Sequence, residues 1–278
     1  TQSRSSAASD VYKRQVMMRP LNLGGPAMRL ELDPQSDDRL IAQCYRVHGP
    51  FSAADLLKAY DEAPTGHQHL LTLEDLGQAL YTSMHASHYH DLDSGDWLLA
   101  AGMDPGWLED GYPREDLSVA QRLHIRRLGF GRLLAQTSFD SIFAKDLRLD
   151  EDSLAELTAA NADLVSQLDG ECYLLRIPVQ RPCESLYGFA NGYFSCDLSP
   201  MENFRLAEHL EDHYGYRLFG LGASLIAFRR TRALDAQQAA TLLDLLVRLY
   251  ARDGNQSQVR ELFNASLERE LLVLRYTE

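Results

Sequence analysis

The run Ser199-Pro200-Met201-Glu202, with Gly215 thirteen residues on from Glu202, constrains this chain more than any other because it specifies both ends of one helix. Ser199 is placed as the N-cap, its hydroxyl accepting an otherwise unpaired first-turn amide. Pro200 falls at N1, where a missing N–H costs nothing, and Glu202 at N3 completes a capping box. Met201, Phe204, Ala207, Leu210 and Tyr214 recur on one face, while Glu208, Glu211 and Asp212 fall away from it. Gly215 supplies the left-handed residue that ends such a helix without a Cβ penalty. The predicted helix spans 200–214.

Its flanks read as strands. Tyr216–Phe219 and Leu225–Phe228 are β-prone runs joined by the Gly-rich 220–224, which predicts a hairpin. Upstream, Tyr187–Cys196 is aromatic and predicts a strand, its glycines marking a bulge or a close backbone approach. In Cys172–Val179, Tyr173, Leu175, Ile177 and Val179 share a side, and Pro178 confines this strand to an edge or to its end. Asp235 with Gln238 at N3 starts another helix, with Leu242, Leu243, Leu246, Leu249 and Tyr250 on its buried face and Gly254 as its stop. Leu271–Tyr276 suits an added edge strand. The order ββαββα predicts a small sheet with helices on one side.

The chain before residue 170 reads differently. Met28–Asp33 alternates like a short strand, but helices are predicted at 38–47, at 52–62 behind Ser52, at 72–84 behind a Thr72 cap partnered by Asp75, at 116–136, at 138–147 and at 150–168. The expected fold class is therefore α+β: a mostly helical region over 28–169 followed by a ββαββα sheet-and-helix domain over 170–278. At 278 residues the chain exceeds the usual size of one simple core. Residues 1–15 have no periodicity and are expected to be a non-native or disordered leader. Their ending, Asp10–Gln15, resembles translated sequencing-adapter read-through, on which reading the native start is either lost from this sequence or expected near Met17, Met18 or Met28.

Charge and cysteine content narrow the function classes. A formal charge of −13 opposes phosphate backbones and anionic membranes, so nucleic acid is disfavoured as a partner and no membrane partner is expected. No apolar run reaches the roughly 20 residues that span a bilayer. Cys44, Cys172, Cys183 and Cys196 form no C-x-x-C pair, and with no export signal the expectation is free thiols and a cytoplasmic setting.

Three clusters carry possible chemistry. His85-x-x-His88-x-His90-Asp91-x-Asp93, with His67 and His69 nearby, offers imidazole and carboxylate ligands of the kind zinc takes. Its spacings of three and two fit neither the i, i+4 pairing of helical metal sites nor the Glu that serves them as base. A polar helix end, where histidine suits the dipole, explains the same residues. Helix 116–136 gathers Arg122, His124, Arg126, Arg127 and Arg132, loosely like a recognition helix. Gly129 and Gly131 weaken it, and pairing with acidic helix 150–168 accounts for its charge. On a strand over 187–196, Tyr187, Phe189, Asn191 and Tyr193 would share one face. Turned to solvent, with Asp197, they would form a binding surface; turned to the helices, they would be core.

No nucleophile elbow or phosphate loop is present: Ser224 follows its glycines inside the hairpin rather than preceding a helix. The expected function is a non-catalytic binding or interaction protein without a cofactor. Its ligand or partner contacts are Tyr187, Asn191, Tyr193 and Asp197, its partner a protein or a small molecule, and a homo-oligomer is compatible with it. The alternatives are a metal-dependent enzyme using His85, His88 and His90, and nucleic-acid binding through helix 116–136.

Overall fold

A computed structural model describes residues 27–34, 39–145, 147–168, 172–252 and 254–278, so the leader over 1–15 lies outside the described residues. In chain order the elements are β1 (Arg29–Leu32), β2 (Gln43–His48), α1 (Ala53–Asp61), β3 (Gln68–Thr72), α2 (Leu76–Tyr89), α3 (Trp97–Ala100), β4 (Leu108–Glu109), β5 (Tyr112–Pro113), α4 (Val119–Leu134), α5 (Glu151–Ala162), β6 (Tyr173–Ile177), α6 (Pro200–Tyr214), β7 (Tyr216–Leu221), β8 (Leu225–Arg230), α7 (Ala236–Tyr250), α8 (Gln256–Leu267) and β9 (Leu271–Arg275).

Local capping chemistry fixes many boundaries. In α6 the Ser199 N–H and hydroxyl donate to Glu202 Oε2 at 2.9 and 2.8 Å, the Glu202 amide returns a bond to Ser199 Oγ, and Gly215 closes the helix at φ +71°. Asp235 and Gln238 make the same reciprocal box on α7. That helix ends at Tyr250, ahead of Gly254. α4 starts behind Ser118 rather than Asp116, because Ser118 makes the reciprocal capping box with Gln121, while the Asp116 carboxylate is held by Arg114 in a two-pronged pair at 2.9 and 2.8 Å. The 150–168 pattern stops as an α-helix at Ala162, where Asp163 turns to extended backbone and caps a 3-10 turn over Leu164–Gln167. Residues 139–144 likewise wind as a 3-10 segment.

The α+β class holds, but the sheet is drawn from both sides of residue 170. Seven strands run in the order β1-β2-β6-β3-β7-β8-β9. β3 lies between β6, to which it is antiparallel, and β7, to which it is parallel. The expected boundary at 169–170 lies outside the described residues, and the strands on either side of it bond to one another. Nor is burial confined to one face of the sheet. Leu70 and Leu71 of β3 and Leu174 and Leu175 of β6 are buried in consecutive pairs, and consecutive strand residues point to opposite faces.

Two expected elements change type. Residues 43–47 of the predicted 38–47 helix belong instead to β2, which pairs with β1 on one side and β6 on the other. Burial of Cys44 and Val47 between those partners outweighs a short, ambiguous apolar pattern. The predicted strand over 187–196 is absent: Pro182–Tyr187 forms a 3-10 turn, and the following chain is irregular. Gly188 lies where a Cβ would stand 2.9 Å from Ile41 O and 2.9 Å from the Ile177 side chain, and its own carbonyl accepts the Ile41 amide at 2.9 Å. That close approach leaves no room for a partner strand.

Near the end of α6, His209 stacks on Phe139 at 3.9 Å and on His213 at 4.2 Å. Burial, reinforced by the neighbouring His213, lowers its pKa from 6.5 to about 4. The unfolded chain takes up this proton near pH 6.5 and the folded chain near 4, so between these values the unfolded state binds more protons. Stability contributed by neutral His209 is complete above pH 6.5 and is lost as the pH falls toward 4. The thermal midpoint of His209→Phe is expected to fall less between pH 7 and pH 4.5 than that of the parent; parallel curves would refute this assignment.

Candidate functional site

α2 presents Tyr81, His85 and Tyr89 at intervals of four, one above the next on a single flank. The Tyr81 and His85 rings meet edge-on at 4.4 Å. His85 then contacts Tyr193 at 5.1 Å, and Tyr193 lies 6.2 Å from Tyr89 and 5.1 Å from Phe194. An element from before residue 170 thus meets the 188–199 loop from after it. Tyr89 is 70% exposed and Phe194 53%, so this row of rings opens to solvent.

Beneath the rings is a cleft of about 510 Å³, lined by Tyr89, His90, Lys145, Tyr193, Phe194 and Glu202 among others. Lys145 Nζ donates to Ser195 O at 3.0 Å and stands 3.4 Å from Glu202 Oε2. The same Glu202 oxygen accepts the N-cap bonds of Ser199, so the carboxylate is already engaged. An ammonium carries three donors, and two of them point at these partners. His90, at the end of α2, has its pKa lowered chiefly by burial; Lys145 and Arg132 push the same way against the opposing charge of Glu202. It is neutral near pH 7.

The loop is held in place from several directions. Asn191, fully buried, donates from Nδ2 to Ala79 O at 3.1 Å and Gly222 O at 3.2 Å, and its Oδ1 accepts the Gly192 amide at 3.0 Å. Asn203 of α6 donates to Asn191 O and Leu198 O. Asp197, also buried, accepts the Phe194 amide at 3.2 Å, and burial raises its pKa. The Leu198 amide reaches Tyr276 O at 2.8 Å.

The four residues expected as ligand or partner contacts therefore divide. Tyr193 lines the cleft. Asn191 and Asp197 brace the loop from inside, and Tyr187 is core, stacked on Phe204 at 5.4 Å and against Phe130 at 5.0 Å. The missing strand is the reason: without alternation, neighbouring side chains need not line up. Lys145, Glu202 and Tyr89 join the site from three other elements. The four-residue spacing of Tyr81, His85 and Tyr89 is visible in the sequence, whereas nothing local marks Lys145.

The histidines of the alternative metal reading do not converge. His85 sits in the ring row, His90 faces the cleft, and His88 lines a separate cavity with Ser83, Ser87 and Arg126. Among the described residues no group of three or more His, Cys, Asp or Glu side chains is placed to hold a metal ion. Nor do the arginines of α4 form one exposed stripe. Arg126 is buried against Asp93. Arg132 donates to His90 O and Asp91 O beneath the Trp97 ring, and Arg127 lies over Tyr187. All four cysteines are unbridged. Among the described residues no helix is long and apolar enough to cross a membrane.

No family model matches this chain, and neither does any curated protein or solved structure, so its function has to be argued from the geometry of the cleft.

Proposed function

We propose that this chain is a non-catalytic binding protein whose cleft between α2 and the 188–199 loop takes a small ring-bearing molecule with a carboxylate or similar acceptor. The observation that carries this reading is the pairing of the exposed rings of Tyr89 and Phe194 and the half-buried ring of Tyr193 with a Lys145 ammonium that keeps a donor to spare. Ring walls supply apolar area and edge-to-face contacts, and the ammonium supplies a charge-assisted bond to the acceptor. A volume of about 510 Å³ lies within the usual range for small-molecule sites. The braced loop limits the ordering cost of binding. Catalysis is not favoured, since Glu202 is committed to its cap and to Lys145, leaving neutral His90 with no free carboxylate beside it in the cleft lining.

Calorimetric titration with benzoate-type and indole-type acids, against aliphatic acids of equal charge, tests this directly. Ring-bearing acids are expected to bind more tightly, and Phe194→Ala and Lys145→Met each to weaken them roughly tenfold while the thermal midpoint stays near that of the parent. Equal binding of aliphatic acids, or unaltered affinity in both variants, would rule the reading out.

A further inference from the structure

β1 stands at one end of the seven-stranded sheet and pairs with β2 on one side. Among the described residues no other strand pairs with it. All four of its residues are exposed, and Leu30 and Leu32 leave 36% and 53% of their surface in water. The opposite end of the sheet is closed, because Asn161 of α5 bonds both the amide and the carbonyl of Val273 on β9. An open edge that carries apolar side chains and no proline is a template for a further strand.

The ladder decides which backbone groups face that edge. The Asp33 amide donates to Cys44 O at 2.9 Å, and in an antiparallel pair the residues that bond across alternate with residues that do not. Arg29 and Glu31 belong with Asp33 to the set bonded to β2, so the N–H and C=O groups of Leu30 and Leu32 point outward. Side chains alternate as well: Leu30 and Leu32 share one face, Arg29 and Glu31 the other.

We infer that β1 docks a second copy of this chain, antiparallel about a two-fold axis through Leu30, so that the two sheets join. In this register Leu30 exchanges both backbone bonds with the partner's Leu30, and the outward groups of Leu32 meet those of the partner's Met28. On one face the apolar side chains meet; on the other, Arg29 stands opposite the partner's Glu31, and Glu31 opposite the partner's Arg29. Sliding the partner by two residues sets Arg29 against the partner's Arg29 in one direction and Glu31 against the partner's Glu31 in the other. A slide of one residue turns outward groups toward groups already bonded to β2. One register therefore satisfies backbone, apolar surface and charge together. Within one chain Glu31 Oε2 lies 3.1 Å from Arg29 Nη2 and 3.6 Å from His48 Nε2, but the Arg29 and Glu31 side chains are 71% and 60% exposed. Such water-screened pairs exchange for cross-chain ones at little cost. Pairing of one short strand falls below the roughly 1,000 Å² of a stable interface, so the dimer is concentration-dependent.

Sedimentation velocity of the full chain from about 5 μM to about 500 μM tests this. The mass is expected to rise from one chain to two and to stop there. Arg29→Glu sets like charges against the partner's Glu31, and Glu31→Arg sets them against the partner's Arg29, so each variant alone should self-associate roughly tenfold more weakly. Mixing the two variants should restore the dimer, because every acidic position then faces a basic one. Both substitutions lie on exposed side chains, and the recovery on mixing shows that neither has unfolded the strand. Phe194→Ala, in the aromatic cleft, should leave the association unchanged. A single-chain mass over the whole range would overturn the inference. So would assembly beyond two chains, a dimer indifferent to both charge variants, or variants that fail to recover on mixing.

Discussion

Asn161→Ala is expected to lose about 3 kcal/mol of folding stability, because it strips two buried backbone groups of their partners at once. β9 bonds to β8 along one side, which leaves its other side as an open edge. Asn161 of α5 closes that edge: Nδ2 donates to Val273 O at 2.9 Å, and Oδ1 accepts the Val273 amide at 2.9 Å. Nδ2 also donates to Leu157 O at 2.9 Å, which orients the amide. One side chain thus stands in for a neighbouring strand and shields an edge that would otherwise offer itself to other chains. Alanine leaves a buried N–H and a buried C=O with nothing to bond. The thermal midpoint is expected to fall by roughly 6–12 °C, given about 2–4 °C per kcal/mol for a chain of this size class. Asn161→Asp, which keeps an acceptor for Val273 N–H but sets an oxygen against Val273 O, is expected to be no better than alanine near pH 7. Denaturant unfolding that shows a loss under about 1 kcal/mol would mean that water replaces these bonds.

Gly192→Ala is the second large effect, and it acts on the candidate site itself. Gly192 sits at φ +110°, and an added Cβ would lie 1.8 Å from Leu198 O. Backbone strain at such a φ and the forced retreat of a carbonyl each cost about 1–3 kcal/mol, so a loss of about 3 kcal/mol or more is expected. The displaced Leu198 carbonyl accepts from Asn203, and the next residue caps α6, so the loop, the helix start and Glu202 would shift together. Affinity in the cleft should drop along with stability. Gly131 of α4 provides the contrast, since a Cβ there meets nothing within 4 Å and Gly131→Ala should stabilise by up to about 1 kcal/mol. Equal effects at the two glycines would contradict the described loop.

What the sequence disclosed and what it hid divide along physical lines. Helix ends set by neighbouring residues were readable: the Ser199–Glu202 box, the Asp235–Gln238 box and the left-handed Gly215 each stand where their types require. The β7–β8 hairpin and the β9 edge strand were readable for the same reason, because turn and alternation are local. β3 was not. Gln68–Thr72 is a short buried run, and its partners β6 and β7 lie roughly a hundred and a hundred and fifty residues away, so no local pattern announces it. β2 was misread because apolar residues at helical spacing can also serve a strand once two neighbours pair with it.

The site shows the same split. Tyr193 was picked out as part of an aromatic run read as a strand, and it lines the candidate cleft from an irregular loop instead. Tyr187 and Asn191 were grouped with it by an assumed alternation that the close approach of Gly188 to Ile41 removes, and Asp197 by its place in the loop toward Ser199. Lys145 and Glu202 reach the cleft only because the shared sheet brings distant segments together, and Glu202 reads in sequence as a cap and nothing more. The ion pair of Arg229 with Asp61 and Glu270 is of the same kind, tying α1 to the start of β9 across more than two hundred residues of chain.

Backbone amide shifts recorded while a ring-bearing carboxylate is titrated into isotopically labelled protein test the central claim most directly. If segments from both sides of residue 170 build one ligand site, the amides of Tyr89, His90 and Lys145 will shift with those of Tyr193, Phe194 and Ser195 along a single saturation curve. Shifts confined to one side, or spread over the surface without saturating, would contradict it.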